Sequence, residues 1–135
     1  MKYKIIAEGL NDSTGKYEVK ISIRNKEYTG ITSGKTTIEK IKKVCPYIDS
    51  TFYFTLVEEA LTTAKLKYYD EKIKEIKNQK KIVERHIKNK KVLSIYDNQI
   101  SMLEKEKEKI IKGFNSYIDS KVEFYKKLHK KKEAK

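Results

Sequence analysis

Cysteine occurs once in this chain, at Cys45. That excludes an internal disulfide framework and suits a reducing compartment. Proline also occurs once, at Pro46, and glycine only five times. Such scarcity argues against a loop-dominated or disordered chain and for a helix-rich one. No run of about 18 apolar residues is present, so nothing is expected to span a membrane. Met1-Lys2-Tyr3-Lys4 has no apolar h-region, and lysine stands where N-myristoylation needs glycine. The expected location is cytoplasmic. Arginine is nearly missing too, Arg24 and Arg85 being its only members among 32 basic residues. Lysine is a point charge without the bidentate fork that reads guanine, so base-specific recognition is poorly supplied.

What the chain does have is charge. Of its 135 residues 38% are charged and the net charge is +13. Clustered cations gain free energy by displacing counterions from a phosphate backbone, which points to a polyanion such as nucleic acid. The same abundance of Lys, Ile and Tyr is expected of an AT-rich genome, so part of the charge is codon bias. The length suits one domain with an extended appendage.

Two stretches carry heptad seams. The first runs Leu66, Tyr69, Ile73, Ile76, Lys80, Val83, Ile87; the second runs Tyr96, Ile100, Leu103, Lys107, Ile110, Phe114, Tyr117, Lys121, Phe124, Leu128. From Ile87 to Tyr96 the stripe rotates by roughly half a circle at about 100° per residue, so one straight helix could not bury both seams against one partner. A reversal between Asn89 and Asn98 could, giving an antiparallel helical hairpin. Setting Ile87 opposite Ile100 places Ile73 opposite Phe114 and brings Lys80 level with Lys107. Those lysines would be satisfied by Glu84, Glu104 or Glu108, would snorkel, or would leave this level open to a ligand or partner chain. A two-helix hairpin buries little core. Ile73, Ile76, Ile110 and Phe114 are therefore the expected interface of a homodimer or higher oligomer.

The N-terminal part reads as an antiparallel three-stranded sheet. Tyr17, Val19, Ile21 and Ile23 alternate with Lys16, Glu18, Lys20 and Arg24. Tyr3, Ile5 and Ala7 form the expected inward set of an earlier strand, with Gly9 to Gly15 as the loop, and Asn25-Lys26 turns into Glu27 to Ile31. Thr36-Thr37-Ile38-Glu39 has the spacing of a capping box. The helix it opens would present Ile38, Ile41 and Val44 or Cys45 and cover the sheet, and Pro46 ends it. Asp49 or Ser50 could cap the next helix. Thr51 to Val57 fits a fourth strand by β-branched and aromatic content, or a helix through Tyr53, Leu56, Val57, Ala60, Leu61 and Ala64; helix is favoured because no turn residue follows. The expected class is α+β, with a sheet-plus-helix subdomain over 1–48, a coiled-coil hairpin over 49–131 and a basic tail over 132–135, the stretch from Lys126 to Lys135 being expected to fray.

No catalytic constellation stands out. Gly30-Ile31-Thr32-Ser33-Gly34-Lys35-Thr36 is one residue short of a phosphate-binding P-loop, though Lys35 beside a helix start could still hold an isolated anion. His86 and His129 have no ligand or nucleophile spacing around them, so both read as solvated helix residues. Glu58-Glu59 and Asp70-Glu71 are adjacent pairs, which diverge on a helix. The chain is expected not to be an enzyme and to need no metal or cofactor. Basic clusters lie at the hairpin tip (Lys80, Lys81, Arg85, Lys88, Lys90, Lys91), in the tail (Lys126, Lys127, Lys130, Lys131, Lys132) and on the sheet (Lys2, Lys4, Lys16, Lys20, Arg24). Sheet and tail meet at the hairpin base, which makes Lys4, Lys20, Arg24, Lys35, Lys127 and Lys131 the expected polyanion site.

Three strands followed by a helix, with Thr14-Gly15-Lys16 before the second strand, resembles the small arm-site DNA-binding domains of tyrosine integrases over roughly the first 45 residues. No residue role carries over. A small lysine-rich chain of this kind also looks like accessory proteins of phages and mobile elements. The expectation is an oligomeric nucleic-acid-binding protein. The alternative is a counter-defence inhibitor that contacts a host protein or sequesters an anionic nucleotide.

Overall fold

The computed structural model describes residues 2–46 and 53–133. Strands β1 (Lys4–Asn11), β2 (Lys16–Ile23) and β3 (Lys26–Thr32) form one antiparallel sheet in the order β1-β2-β3. Helices α1 (Lys35–Val44), α2 (Tyr53–His86) and α3 (Lys90–Glu133) follow. The class is α+β as expected, and no helix among the described residues is long and apolar enough to cross a membrane.

The alternation in β2 holds. Val19, Ile21 and Ile23 are buried, and with Tyr28, Ala60, Leu61 and Ala64 they make the core between sheet and α2. β1 departs from the alternation expected of it, because its register slips between Ile5 and Ala7. The bulge reverses the pleat, so Ala7 pairs with Lys20 on the outer face while Glu8 and Leu10 pair with Val19 and Tyr17 on the inner one. Ile5, Ile6 and Leu10 remain exposed. The β2–β3 turn is Arg24-Asn25 rather than Asn25-Lys26, with φ of 51° and 65°. A two-residue hairpin with right-twisted strands favours positive φ at both central positions.

Two expectations for α1 are corrected. It starts at Lys35 with Gly34 as N-cap in the left-handed region, φ 68°, and no side chain caps it. Thr36 is exposed, while Thr37 is buried and donates to Glu59. Because the helix begins one residue earlier, Thr36 stands inside its first turn and not at the cap, and Glu59 on α2 separately takes the Thr37 hydroxyl (2.8 Å) and that of Thr32 (2.7 Å), tying α1, β3 and α2 together. Nor does α1 cover the sheet. It packs on α3, burying Ile41 and Cys45, and the sheet is covered by the first half of α2. Gly30 makes that possible, since a Cβ there would lie 1.8 Å from the Ala60 carbonyl oxygen. Pro46 follows the helix end as expected. Asp49, Ser50, Thr51 and Phe52 lie outside the described residues, and Tyr53 to Val57 are helical.

The hairpin forms, with α2 of 34 and α3 of 44 residues. Its turn is tight. Ile87 N–H still donates to Val83, and Asn89 caps α3, its Oδ1 accepting from Lys91 N–H at 2.9 Å. The turn therefore centres near Lys88 rather than midway between Asn89 and Asn98, and the register changes. Lys107 pairs with Asp70 instead of facing Lys80, a slip of ten residues along α2. Lys80 pairs with Asp97 at 2.8 Å and with Glu84 at 3.6 Å. Each seam lysine thus meets a carboxylate, where the expected register set two cations at one level. Ile73 lies level with residues near Glu104, not with Phe114.

The second seam is followed as far as Tyr117 and then drifts. Ile118 is buried and Val122, Tyr125 and His129 are half-buried, whereas Phe124 and Leu128 are exposed. A straight helix gains about 20° per heptad on a 3.5-residue repeat, so after several heptads the inward face moves to the next residue. α3 continues to Glu133, so the expected fraying from Lys126 is not seen over that span.

Candidate polyanion-binding surface

β3 runs along α2, with Lys26 pairing with Glu71 near its start and Thr32 with Glu59 at its end. The sheet therefore ends about level with Glu71, and beyond it the paired helices continue as a free arm. Residues on the arm divide between three faces of α2: one toward α3, one continuing the sheet side, and one opposite.

The opposite face holds Lys74, Lys77, Lys81 and Arg85, with Lys88 just past the helix end. Their spacing of three and four residues aligns them in one row. All five are exposed. Among the described residues none of the five takes part in an ion pair. The two acidic residues within the row's span, Glu75 and Glu84, are turned to Lys72 and Lys80. Alongside runs a groove of about 500 Å³ between the helices, where Lys74, Lys77 and Lys81 face Glu104 and the Asp70–Lys107 pair.

The expected site residues are scattered by comparison. Lys4 and Lys20 lie on the outer sheet face, and Lys20 pairs with Glu27 at 3.7 Å. Glu18 shares that face and accepts from Asn11. Arg24 is in the β2–β3 turn at the arm end of the sheet, while Lys35 starts α1 at the other end. Lys127 and Lys131 are exposed near the end of α3. The fold brings Lys4 and Arg24 to one end of the sheet but does not gather the six into a patch. The row is legible in the sequence as an i, i+3, i+4 series from Lys74, and the tip cluster already contains Lys81, Arg85 and Lys88.

The four expected interface residues all lie along the hairpin seam. Ile73 is buried inside the hairpin, and Ile76, Ile110 and Phe114 are half-buried along the same seam. The most exposed large apolar side chains on the arm are Ile82, Ile95 and Met102, at 58%, 56% and 63%. Ile82 and Ile95 lie level with each other in the observed register, on the side the sheet occupies lower down.

Perturbed groups serve packing. Burial, then the Glu106 charge and a hydrogen bond to Glu106, push the Tyr69 phenol up to about 12. Burial also raises Tyr28. The hydrogen bond to Asp97 raises Lys80, which keeps that seam position cationic. Glu58 and Glu59 act separately, the first accepting from Thr62 through its carbonyl and the second clamping two threonines. Among the described residues no group of three or more His, Cys, Asp or Glu could hold a metal ion. His86 is exposed and His129 half-buried. Comparison with models of known families, with curated proteins and with solved structures finds no match to this chain, so the integrase-like outline of the first 45 residues gains no support.

Proposed function

We propose that this chain is a non-enzymatic binding protein that grips the phosphate backbone of nucleic acid through the arm. The observation that carries this is the unpaired row Lys74, Lys77, Lys81, Arg85 and Lys88. A cation already bound to a carboxylate gains little from a phosphate, whereas an unpaired one displaces a counterion outright. At about 1.5 Å per residue the row spans roughly 21 Å, comparable to six steps of duplex at about 3.4 Å. With four lysines in five positions the grip is indifferent to sequence.

Binding to mixed-sequence duplex should weaken with salt at a log–log slope of roughly −3.5 to −4.5, as four or five neutralised phosphates give. Lys77→Glu/Lys81→Glu/Arg85→Glu should abolish it, and Lys4→Glu/Lys20→Glu should leave most of it. Retention in the arm variant with loss in the sheet variant would return the site to the base of the hairpin.

Self-association belongs to the same reading, with the seat moved to Ile82, Ile95 and Met102. Two copies joined across that flank would leave both cation rows outward. Sedimentation of Ile82→Lys/Ile95→Lys should show a smaller species than the parent with an unchanged helical spectrum. The second functional reading, a block on a host protein, rests on the same flank, and is favoured if the parent sediments as a monomer and no nucleic acid binds at low salt.

A further inference from the structure

Where the sheet ends against the arm, Lys2, Ile23, Arg24, Tyr68, Tyr69, Leu103 and Glu106 enclose a cleft of about 470 Å³. It lies away from the cation row, on the sheet side of the hairpin. Its floor is aromatic: Tyr68 stands edge-on to Tyr69 at 5.2 Å between ring centroids and to Tyr28 at 5.6 Å. Ile23 and Leu103 add apolar walls, while Lys2 and Arg24 supply positive charge and Glu106 a carboxylate. The volume falls within the roughly 300–1,000 Å³ of small-molecule sites, and a few polar groups over an apolar lining is their usual composition.

Arg24 adds a separate observation. Its φ of 51° lies in the left-handed region, where most residues with a Cβ are strained, glycine is free and asparagine is better tolerated through its short polar side chain. A turn selected for the fold alone would favour Gly or Asn at this position. Arg24 is held there at a conformational cost and lines the cleft, within reach of whatever the cleft holds.

We propose that this cleft binds a nucleoside monophosphate unit. The base would pack on Tyr68 and Leu103, Lys2 and Arg24 would take the phosphate, and Glu106 would accept from an exocyclic amine. Guanidinium suits a phosphate through paired N–H donors, and an aromatic face suits any base. Glu106 also accepts from Tyr69, which holds the carboxylate in place. The site does not depend on the arm row for any contact.

Calorimetric titration of the full chain with adenosine 5′-monophosphate tests this, using Arg24→Gly as the key variant. That change relieves the left-handed strain, so the melting temperature should be unchanged or up to about 4 °C higher. Affinity should nevertheless fall roughly ten- to hundred-fold with loss of the charged hydrogen bonds. Glu106→Gln should weaken adenosine monophosphate more than uridine monophosphate, which lacks the exocyclic amine. Lys77→Glu/Lys81→Glu/Arg85→Glu should leave nucleotide affinity unchanged, so this site and the arm's backbone grip can fail independently. A 5′-phosphorylated oligoadenylate that binds with the same sensitivity to Arg24→Gly identifies the ligand as a strand end; binding by the mononucleotide alone identifies a free nucleotide. No binding at millimolar nucleotide, or equal affinity in Arg24→Gly, overturns the proposal. So does loss in the arm variant alone, which would put the nucleotide on the cation row.

Discussion

Single residues set how closely the layers approach. Gly30 sits where β3 touches the α2 backbone, and a methyl group there would overlap the Ala60 carbonyl at 1.8 Å. Neither backbone can give way without disturbing the core of Val19, Ile21 and Ala64. Gly30→Ala should therefore lower stability by about 2–3 kcal/mol, read as a lower denaturant midpoint. Tyr69 gives a pH signature. Its phenol ionises near 10.0 in the ordinary case and at about 12 in the fold. Between those values the unfolded chain releases a proton that the folded chain keeps, so the contribution is full below pH 10 and is lost as pH rises through 12. Urea midpoints should fall across that window more steeply for the parent than for Tyr69→Phe.

At the scale of elements, the hairpin depends on a short turn and on opposite charges. Asn89 supplies the cap of α3 through its Oδ1 bond to Lys91 N–H. Asn89→Ala should cost about 1 kcal/mol. Because the loss is local to the tip, it should appear as faster amide exchange near Lys91 to Leu93 before it appears in global unfolding. The observed register places Asn78 close to level with Ser101. Spin labels at those positions should lie roughly one helix spacing, about 10 Å, apart on the backbone. Labels at Asn78 and Glu108 should be farther apart, since they are close to level only in the register that pairs Lys80 with Lys107. The opposite ordering of distances would restore that register.

For the whole molecule the consequence is an uneven distribution of stability. Among the described residues from 74 to 117 none is buried, while the sheet and residues 55–73 of α2 contain most of the core. The arm should open by itself, with amide protection well below that of β2 and the first half of α2. Replacing residues 78–99 by a short glycine-serine linker should leave a cooperatively folded base whose melting temperature is close to the parent's. Removing most of the row with the arm should eliminate backbone-driven nucleic-acid binding, whereas the cleft at Arg24 should survive. Unfolding of the shortened chain would show that the arm supports the base after all.

Periodicity alone determined the α+β class, the three strands, the two long helices and their antiparallel return. These follow from local rules: an alternation of two fixes a strand face, and steps of three and four fix a helix seam. Even the seam positions from Tyr96 to Tyr117 are recovered one by one. The tertiary structure decided what lies opposite what. The ten-residue register, the bulge at Ile6, the turn of α1 onto α3 and the clamp at Glu59 all depend on contacts between distant segments, and an identical seam is compatible with several registers until the turn length and ion pairs select one. The same holds for the candidate sites. Lysine count is visible in the sequence, but which cations stay unpaired depends on where the carboxylates end up, and the cleft at Arg24 exists only because the end of the sheet meets the side of the hairpin.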